Sequence, residues 1–451
     1  MSTLFTGLDV HLSTVTASFV LDDATTAAKR ISFPNDPSGA DTLALRVRDI
    51  CAQRGITDAQ IGMETTSNLY FGLADVLRSH GVFDGLHVDV HSLNARQVAQ
   101  LKKLFPEMSK DDPVDAGMIA EYLRFRRLPT PHLVDERYLA LQQLTRHRFH
   151  LVGSLVGEKN RFISHLFLKF SGFRQDKPLS DTFGAASSAL LTEFLSVDEI
   201  ARMSIDELVD FLKDKGRDHF IDPEKTAARI KAAAAKSYRL NSSLVDPINT
   251  ILAMTLENVR FFERQIKAID KAIEHQLRAF AHEATLLASV PGIGPVFSAG
   301  IIAEIAGIQR FDNDGALARF AAIVWKHHKS GEFSGDDTPM MHSGNQYLRY
   351  YFVEAANSLR LHNDEFAAYY QTKYREATKH HHKRACVLTA RKLVRLVFSL
   401  LRKGMLYRTP QQRKEYQAAN PLPEGTTPGE LARHAARRRQ AKRPMRIHID
   451  H

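Results

Sequence analysis

Apolar and polar residues alternate along Thr3–Val10, Thr14–Leu21 and Lys29–Phe33, with turn residues between them, so the chain opens as three short strands. Over residues 38–54 the period lengthens. Leu43, Leu45, Val47, Ile50 and Cys51 predict an amphipathic helix with those side chains toward a core. Gln60–Thr65 predicts a fourth strand, Leu69–His80 a helix ended by Gly81, Leu86–Val90 a fifth strand, and residues 94–105 another helix. Three strands followed by alternating helices and strands imply one mixed α/β sheet.

That order, antiparallel strands 1–3 ahead of parallel strands 4 and 5, matches the ribonuclease-H-like architecture. From about residue 112 the pattern is almost wholly helical, and residues 136–170 and 242–282 are the longest stretches. In the second, Val259, Phe262, Ile266, Ile269 and Ile273 recur at alternating steps of three and four, a coiled-coil seam. In the first, Leu141, Leu144, Leu151, Leu155, Phe162 and Leu166 do nearly the same, interrupted by Arg148 and Lys159. The two can pack antiparallel as an arm or pair with another subunit, and the pattern does not choose. Residues 173–240 read as shorter helical pieces at the arm's tip. Residues 286–307 and 312–402 form a further helical domain, and from Pro410 onward the composition turns polar, with a mobile basic stretch at Arg437–Arg446.

A chain of 451 residues exceeds one ordinary core. The expected divisions are an α/β domain at 1–130, an all-α coiled-coil arm at 131–284, a helical domain at 285–408 and a basic, flexible tail at 409–451. With 44% hydrophobic and 25% charged residues, disordered and fibrous classes are excluded. No run of 18 apolar residues occurs, so no membrane span is expected, and the N-terminus lacks the pattern of a secretion signal. Cys51 and Cys386 are the only cysteines, which excludes a disulfide framework and a cysteine zinc cluster and fits a reducing cytoplasm. Charge changes the picture more. The net charge is +10, yet residues 371–451 carry 20 Lys/Arg against 5 Asp/Glu, leaving the rest of the chain slightly acidic. Such a field attracts a polyanion through counterion release, which points to nucleic acid.

Candidate chemistry begins with four acids. Asp9 ends the first strand and Glu64 the fourth, and in this sheet order those strands are neighbours. Asp112 and Asp115 open the next long helix three residues apart, on one face. Individually each has a plain reading. Asp9 can cap its strand, and Asp112-Pro113-Val114-Asp115 is a good helix start with Asp112 as N-cap. Together, four converging carboxylates need cations between them. Two Mg²⁺ ions about 4 Å apart would meet that need and would activate attacking and leaving oxygens in phosphoryl transfer.

In the helical C-terminal domain, Val290-Pro291-Gly292-Ile293-Gly294 reads as a helix–hairpin–helix turn, whose glycines Gly292 and Gly294 can turn backbone amides toward a phosphate. Downstream, Lys329-Ser330-Gly331-Glu332-Phe333-Ser334-Gly335 is a small polar loop, followed by Ser343-Gly344-Asn345-Gln346-Tyr347-Leu348-Arg349. Trp325, the only tryptophan, is read as a packing residue. His380, His381 and His382 point in different directions on a helix, so they suit nucleic-acid contact with Lys383 and Arg384 rather than metal binding. The helix Arg391–Arg402 has an apolar side, and Arg391, Lys392, Arg395 and Arg402 are expected outward. Lys329, Arg349, Lys383, Arg384, Arg391 and Arg395 are the cationic candidates for nucleic acid.

The segments Gly7-Leu8-Asp9-Val10, Met63-Glu64-Thr65 and Lys110-Asp111-Asp112-Pro113-Val114-Asp115-Ala116 resemble the three motifs of the DEDD insertion-sequence transposases, the IS-one-ten family with its IS-eleven-eleven branch. The Pro-Gly-Ile-Gly turn and the Ser-Gly loop are similar to the family's second signature domain. The resemblance implies an N-terminal domain like the junction resolvase RuvC, with Asp9, Glu64, Asp112 and Asp115 as ligands of Mg²⁺, with Mn²⁺ the alternative ion. Asp111 is the neighbouring acid, and His11 receives no role. Further, it implies Ser330 as the nucleophile forming a covalent phosphoserine–DNA intermediate, with Ser334 and Ser343 as near alternatives. It implies a recombinase that cuts and rejoins donor and target double-stranded DNA. The site would be composite, completed between protomers in dimers that join as tetramers. A noncoding bridge RNA would guide it, in the bacterial cytoplasm at the nucleoid. In the family a Gly-Leu-x-Pro-like turn precedes the serine loop, where this chain has Ile323-Val324-Trp325-Lys326. Two other classes fit the residues: a RuvC-like structure-selective endonuclease without a covalent step, and a non-catalytic nucleic-acid-binding scaffold whose acids are caps.

Overall fold

The structure is a computed structural model that describes residues 2–64, 68–93, 95–103, 112–126, 136–194, 196–216, 220–325, 329–330, 333–334, 340–341 and 343–419. It divides into two compact units, Met1–Leu133 and Val134–His451.

In the first unit, β1 (Thr3–Val10), β2 (Thr14–Leu21) and β3 (Thr26–Pro34) form an antiparallel meander. The helix α1 (Pro37–Arg54) returns the chain to β4 (Asp58–Glu64), and α2 (Phe71–Arg78) leads to β5 (His87–Leu93). The sheet order is β3-β2-β1-β4-β5, with β4 parallel to β1 and β5 parallel to β4. Local chemistry fixes the ends of α1. The Asp36 carboxylate accepts from the Gly39 amide at 2.8 Å, Pro37 sits in the first turn, and Gly55 closes the helix at φ 64°.

One sheet face packs Leu4 and Leu8 against Leu43, Val47, Ile50 and Cys51 of α1 and Leu73 and Leu77 of α2. Leu45 departs from the expectation: it is exposed, because the buried stripe of α1 runs through Leu43, Ala44, Val47, Ile50 and Cys51 instead. The other face is covered by α3 (Ala95–Lys102) and α4 (Asp112–Arg126), with Phe5, Leu93, Val98, Ile119 and Leu123 between them.

The second unit begins with α5 (Glu136–Lys169), a 34-residue helix. Five shorter helices follow: α6 (Ser171–Asp176), α7 (Ala185–Glu193), α8 (Val197–Arg202), α9 (Ile205–Gly216) and α10 (Pro223–Lys236). Then α11 (Ser242–Leu277) runs back along α5. The pairing is within the chain and antiparallel, since Arg148 meets Asp270 at 2.6 Å and Lys159 meets Glu263 at 2.8 Å. The two cations that interrupt the apolar pattern of α5 are therefore the ones that bridge to α11. Phe162 and Leu166 join α6–α10 and the start of α11 in a core of their own at the distal end.

At the other end, Leu141 and Ile273 enter the core of the remaining helices. These are α12 (Ala281–Ala288), α13 (Pro295–Ile305), α14 (Asp314–Phe320), α15 (Gln346–His362), α16 (Asp364–Glu376) and α17 (His381–Lys403). Between α14 and α15 lies a small hairpin, β6 (Lys329–Ser330) and β7 (Phe333–Ser334). The start of the expected flexible tail is ordered as α18 (Pro410–Ala419), and the Arg437–Arg446 stretch lies outside the described residues. No helix among the described residues is long and apolar enough to cross a membrane.

Candidate active site

The parallel register pairs Leu8 with Met63, so the next positions, Asp9 and Glu64, stand side by side on one rung at the ends of β1 and β4. Alternation along each strand places them on the face shared with Phe5, Gly7, Gln60 and Gly62, the face that α4 covers. Gly7 sets how closely α4 approaches. A Cβ there would lie 2.1 Å from the Ala116 carbonyl oxygen and 2.3 Å from the Ala120 amide nitrogen. Backbone therefore touches backbone, and only glycine fits. Ala116 and Ala120 lie over Gly7, and Arg124 near the other end of α4 donates to the Asp22 carbonyl beside Thr3, so the first turn of α4 lies toward the Asp9 end of β1. Asp115 belongs to that turn. Asp112 opens α4 in the same turn, with its side chain outside the described residues, as is all of Asp111.

Asp9 lies 3.3 Å from His11 Nε2 and is mostly shielded from solvent. Among the described residues no three His, Cys, Asp or Glu groups close on one point as a metal site. The donor chemistry nonetheless suits a hard divalent cation, because every candidate ligand is a carboxylate. Two rungs back from Glu64, β5 carries His91, which pairs in register with Gly62. Its Nε2 and the Gln60 Oε1 are buried with no hydrogen-bond partner among the described residues. Burial pushes the His91 imidazole pKa down, against the pull of Asp89. Polar residues inside an alternating strand were the sequence signal for this pair, and the motif-based reading passed over them.

In the second unit, Ser330 pairs with Phe333 and Lys329 with Ser334 in the β6–β7 hairpin; the side chains of Lys329, Ser330 and Ser334 lie outside the described residues. Ser343 is half-buried ahead of α15. Asn345 caps α15, its Oδ1 accepting from the amides of Tyr347 and Leu348 at 3.0 and 2.9 Å. Its Nδ2 donates at 2.6 Å to Glu304, a fully buried carboxylate on α13. The same carboxylate receives two bonds from Arg146 of α5, at 2.7 and 3.0 Å, and one from Gln142 at 3.2 Å. The turn after the serine hairpin is thus tied through one buried acid to the long helix. The sequence carried a signal for it: Glu304 is the single charge in the apolar helix PVFSAGIIAEI.

Of the cationic candidates, Arg349 sits on the first turn of α15 with its Nη1 buried and without a hydrogen-bond partner among the described residues. Lys383, Arg384 and Arg395 are exposed on α17. Arg391 and Lys392 are not outward, contrary to expectation. Arg391 makes two 3.0 Å bonds to Asp314 of α14, and Lys392 lies 3.1 Å from Glu365 of α16, because the neighbouring helices bring acids to those positions. Arg402 is exposed and bonded to Gln309. The histidine run diverges as expected: His382 Nδ1 meets the Tyr370 hydroxyl at 2.7 Å, His381 Nδ1 meets the Tyr374 carbonyl oxygen at 2.9 Å, and His380 has φ 52° ahead of the helix. Gly292, at φ 100°, packs on α15: a Cβ there would stand 3.1 Å from Leu359 Cα. Gly294 is the N-cap of α13, with open space around it.

Two family models match this chain, and both describe transposases. One, the DEDD transposase model of the IS110 type, covers residues 6–171, and the other, the transposase model of the IS116/IS110/IS902 family, covers residues 284–371. Together they span more than half of the chain, and the protein belongs to the IS110 family of DEDD transposases. The chain is also 25% identical over 323 residues to the insertion element IS116 uncharacterized 44.8 kDa protein of Streptomyces clavuligerus, covering 69% of this chain and 76% of that relative.

Proposed function

We propose that this protein is the recombinase of an insertion sequence, cutting and rejoining DNA through a RuvC-like, ribonuclease-H-like carboxylate site and a serine nucleophile. The observation that carries the reading is the placement of Asp9 and Glu64 side by side on one face of the sheet, with the first turn of α4 held beside them by the Gly7 contact. Asp9, Glu64, Asp112 and Asp115 would hold divalent cations, Mg²⁺ by the hardness of the donor set. Bound there, the cations would lower the cost of negative charge on the attacking and leaving oxygens. The Ser330 hydroxyl attacks the phosphodiester: an Oγ–P bond forms as the P–O3′ bond breaks, the serine proton passes to solvent, and the departing 3′ oxygen takes up a proton. Reversal of the step with a different 3′ hydroxyl rejoins strands. The buried Arg349 Nη1 on the helix after the serine hairpin, unpartnered among the described residues, supports a phosphate acceptor nearby. Double-stranded donor and target DNA are the substrates. A bridge RNA supplying sequence choice, and dimers assembling as tetramers, belong to the same reading.

Trapping tests it. The full chain, purified with co-expressed element RNA, is incubated with element DNA and Mg²⁺, denatured, and searched for a protein–DNA adduct mapped by peptide mass. The expected adduct is on Ser330, absent in Ser330→Ala and in Asp9→Ala. An adduct retained by Ser330→Ala and mapped to Ser334 or Ser343 moves the nucleophile. Cleavage with no adduct in the wild type replaces the recombinase with the endonuclease, and DNA binding with neither product leaves the scaffold.

A further inference from the structure

The serine hairpin lies between Trp325 and Met340, which pair as an antiparallel bridge. Beside that bridge is a cavity of about 580 Å³. Its apolar wall is made by Trp325 and Met340 with Val387 and Leu388 of α17, and its polar side by His380, Lys383 and Arg384. None of these lining residues is acidic, and the three polar ones are exposed. Trp325 is only half-buried. The tryptophan that the sequence suggests as a packing residue thus also faces a basic helix end. The volume lies within the range of small-molecule sites. Flat aromatic surface next to the Lys383 and Arg384 cations suits a ligand that is itself a planar ring joined to a phosphate. Trp325 stands five residues before Ser330, so the chain can separate them by no more than about 18 Å.

We propose that this cavity captures an unstacked nucleotide of the DNA strand that Ser330 attacks, with the base against Trp325 and Met340 and its phosphate on His380, Lys383 and Arg384. The inference rests on the serine reading above. Taking a base out of the stack near the reacting phosphate anchors the strand and bends it toward the hairpin, which a flat basic surface cannot do.

Trp325 is the protein's only tryptophan, so its emission reports the cavity directly. Full-length protein without divalent cation is titrated with an eight-nucleotide single-stranded DNA, reading tryptophan emission, and separately with the same DNA carrying a dye, reading anisotropy. Saturable quenching is expected, with the same midpoint in both readouts. Trp325→Leu should weaken binding roughly 5- to 100-fold, and Trp325→Phe, which keeps a ring, should restore most of it. Lys383→Ala and Arg384→Ala should each flatten the dependence of binding on salt by about 0.7 in slope. DNA binding with unchanged emission, or equal loss in the Leu and Phe variants, overturns the proposal. So does an absence of DNA binding, whatever an RNA of the same sequence does. Quenching needs no Ser330 hydroxyl: if quenching persists in Ser330→Ala while no adduct forms in the wild type, the serine reading fails and the cavity stands, and an adduct without quenching is the converse.

Discussion

Removing the Glu304 carboxylate is the sharpest test of how the serine hairpin is held. The side chain is fully buried and accepts four hydrogen bonds: two from Arg146, one from Gln142 and one from Asn345. Truncating one partner of a buried, hydrogen-bonded pair costs about 3–5 kcal/mol, because the remaining charge stays desolvated. Arg146 is one-third exposed, so water recovers part of its solvation, and about 3 kcal/mol is a fair discount for Glu304→Ala. Asn345 adds to this, since its amide loses an acceptor while its Oδ1 must still cap α15. For a unit of this size, about 2 °C per kcal/mol gives a fall of roughly 6 °C in Tm. The assay is calorimetry on the full chain, with Arg146→Met and the double variant completing a cycle. A coupling energy of about 1–3 kcal/mol between positions 146 and 304 is expected. A Glu304→Ala protein within 1 kcal/mol of wild type, or a cycle with no coupling, refutes the idea that this acid ties the long helix to the turn after the hairpin.

Gly7→Ala should displace α4 from β1, because the new methyl would sit about 2 Å from the Ala116 carbonyl. Loss of at least 2–3 kcal/mol in denaturant titration of residues 1–133 within the full chain is expected, together with loss of strand cleavage; normal stability and activity would show that the approach is not needed. Lys169 is buried, donates to the carbonyls of Leu191 and Phe194, and its pKa is lowered to about 8 by burial. Between pH 8 and the ordinary lysine value the unfolded chain binds the extra proton, so stability rises with pH there, by about 1 kcal/mol from pH 8 to 9. Lys169→Met should flatten that rise in urea midpoints, and an unchanged slope would remove the assignment. Arg391→Ala breaks the bond pair to Asp314 and should lower stability by about 1 kcal/mol. Arg395→Ala, at an exposed position, should leave stability unchanged and weaken DNA binding alone; the reverse pattern in melting and filter-binding data would refute the division.

What was legible in the sequence follows from how local each determinant is. β1 and β2 appear at their expected residues because alternation is a property of neighbouring positions. The adjacency of Asp9 and Glu64 was legible too, since a meander followed by a helix crossover leaves β4 beside β1. The orientation of Leu45 was not, because one apolar residue on an 18-residue helix can sit at the stripe's edge without altering its period. Long-range pairing explains the other departures. The partner of Arg391 is 77 residues away, so a helix that looks basic outward in isolation has part of its charge paired by what packs on it. For the same reason Arg148 and Lys159, which look like faults in a heptad, become its cross-links once α11 lies antiparallel. Glu304 combines both lessons. Its sequence context announces a buried charge, which is tolerated only when paired, but nothing local says that the partners are Arg146, 158 residues earlier, and Asn345, 41 residues later. An isolated acid in an apolar helix is therefore a marker for a tertiary joint. Here the joint lies where a nucleophile's loop would have to be held still against a helix that reaches away from it.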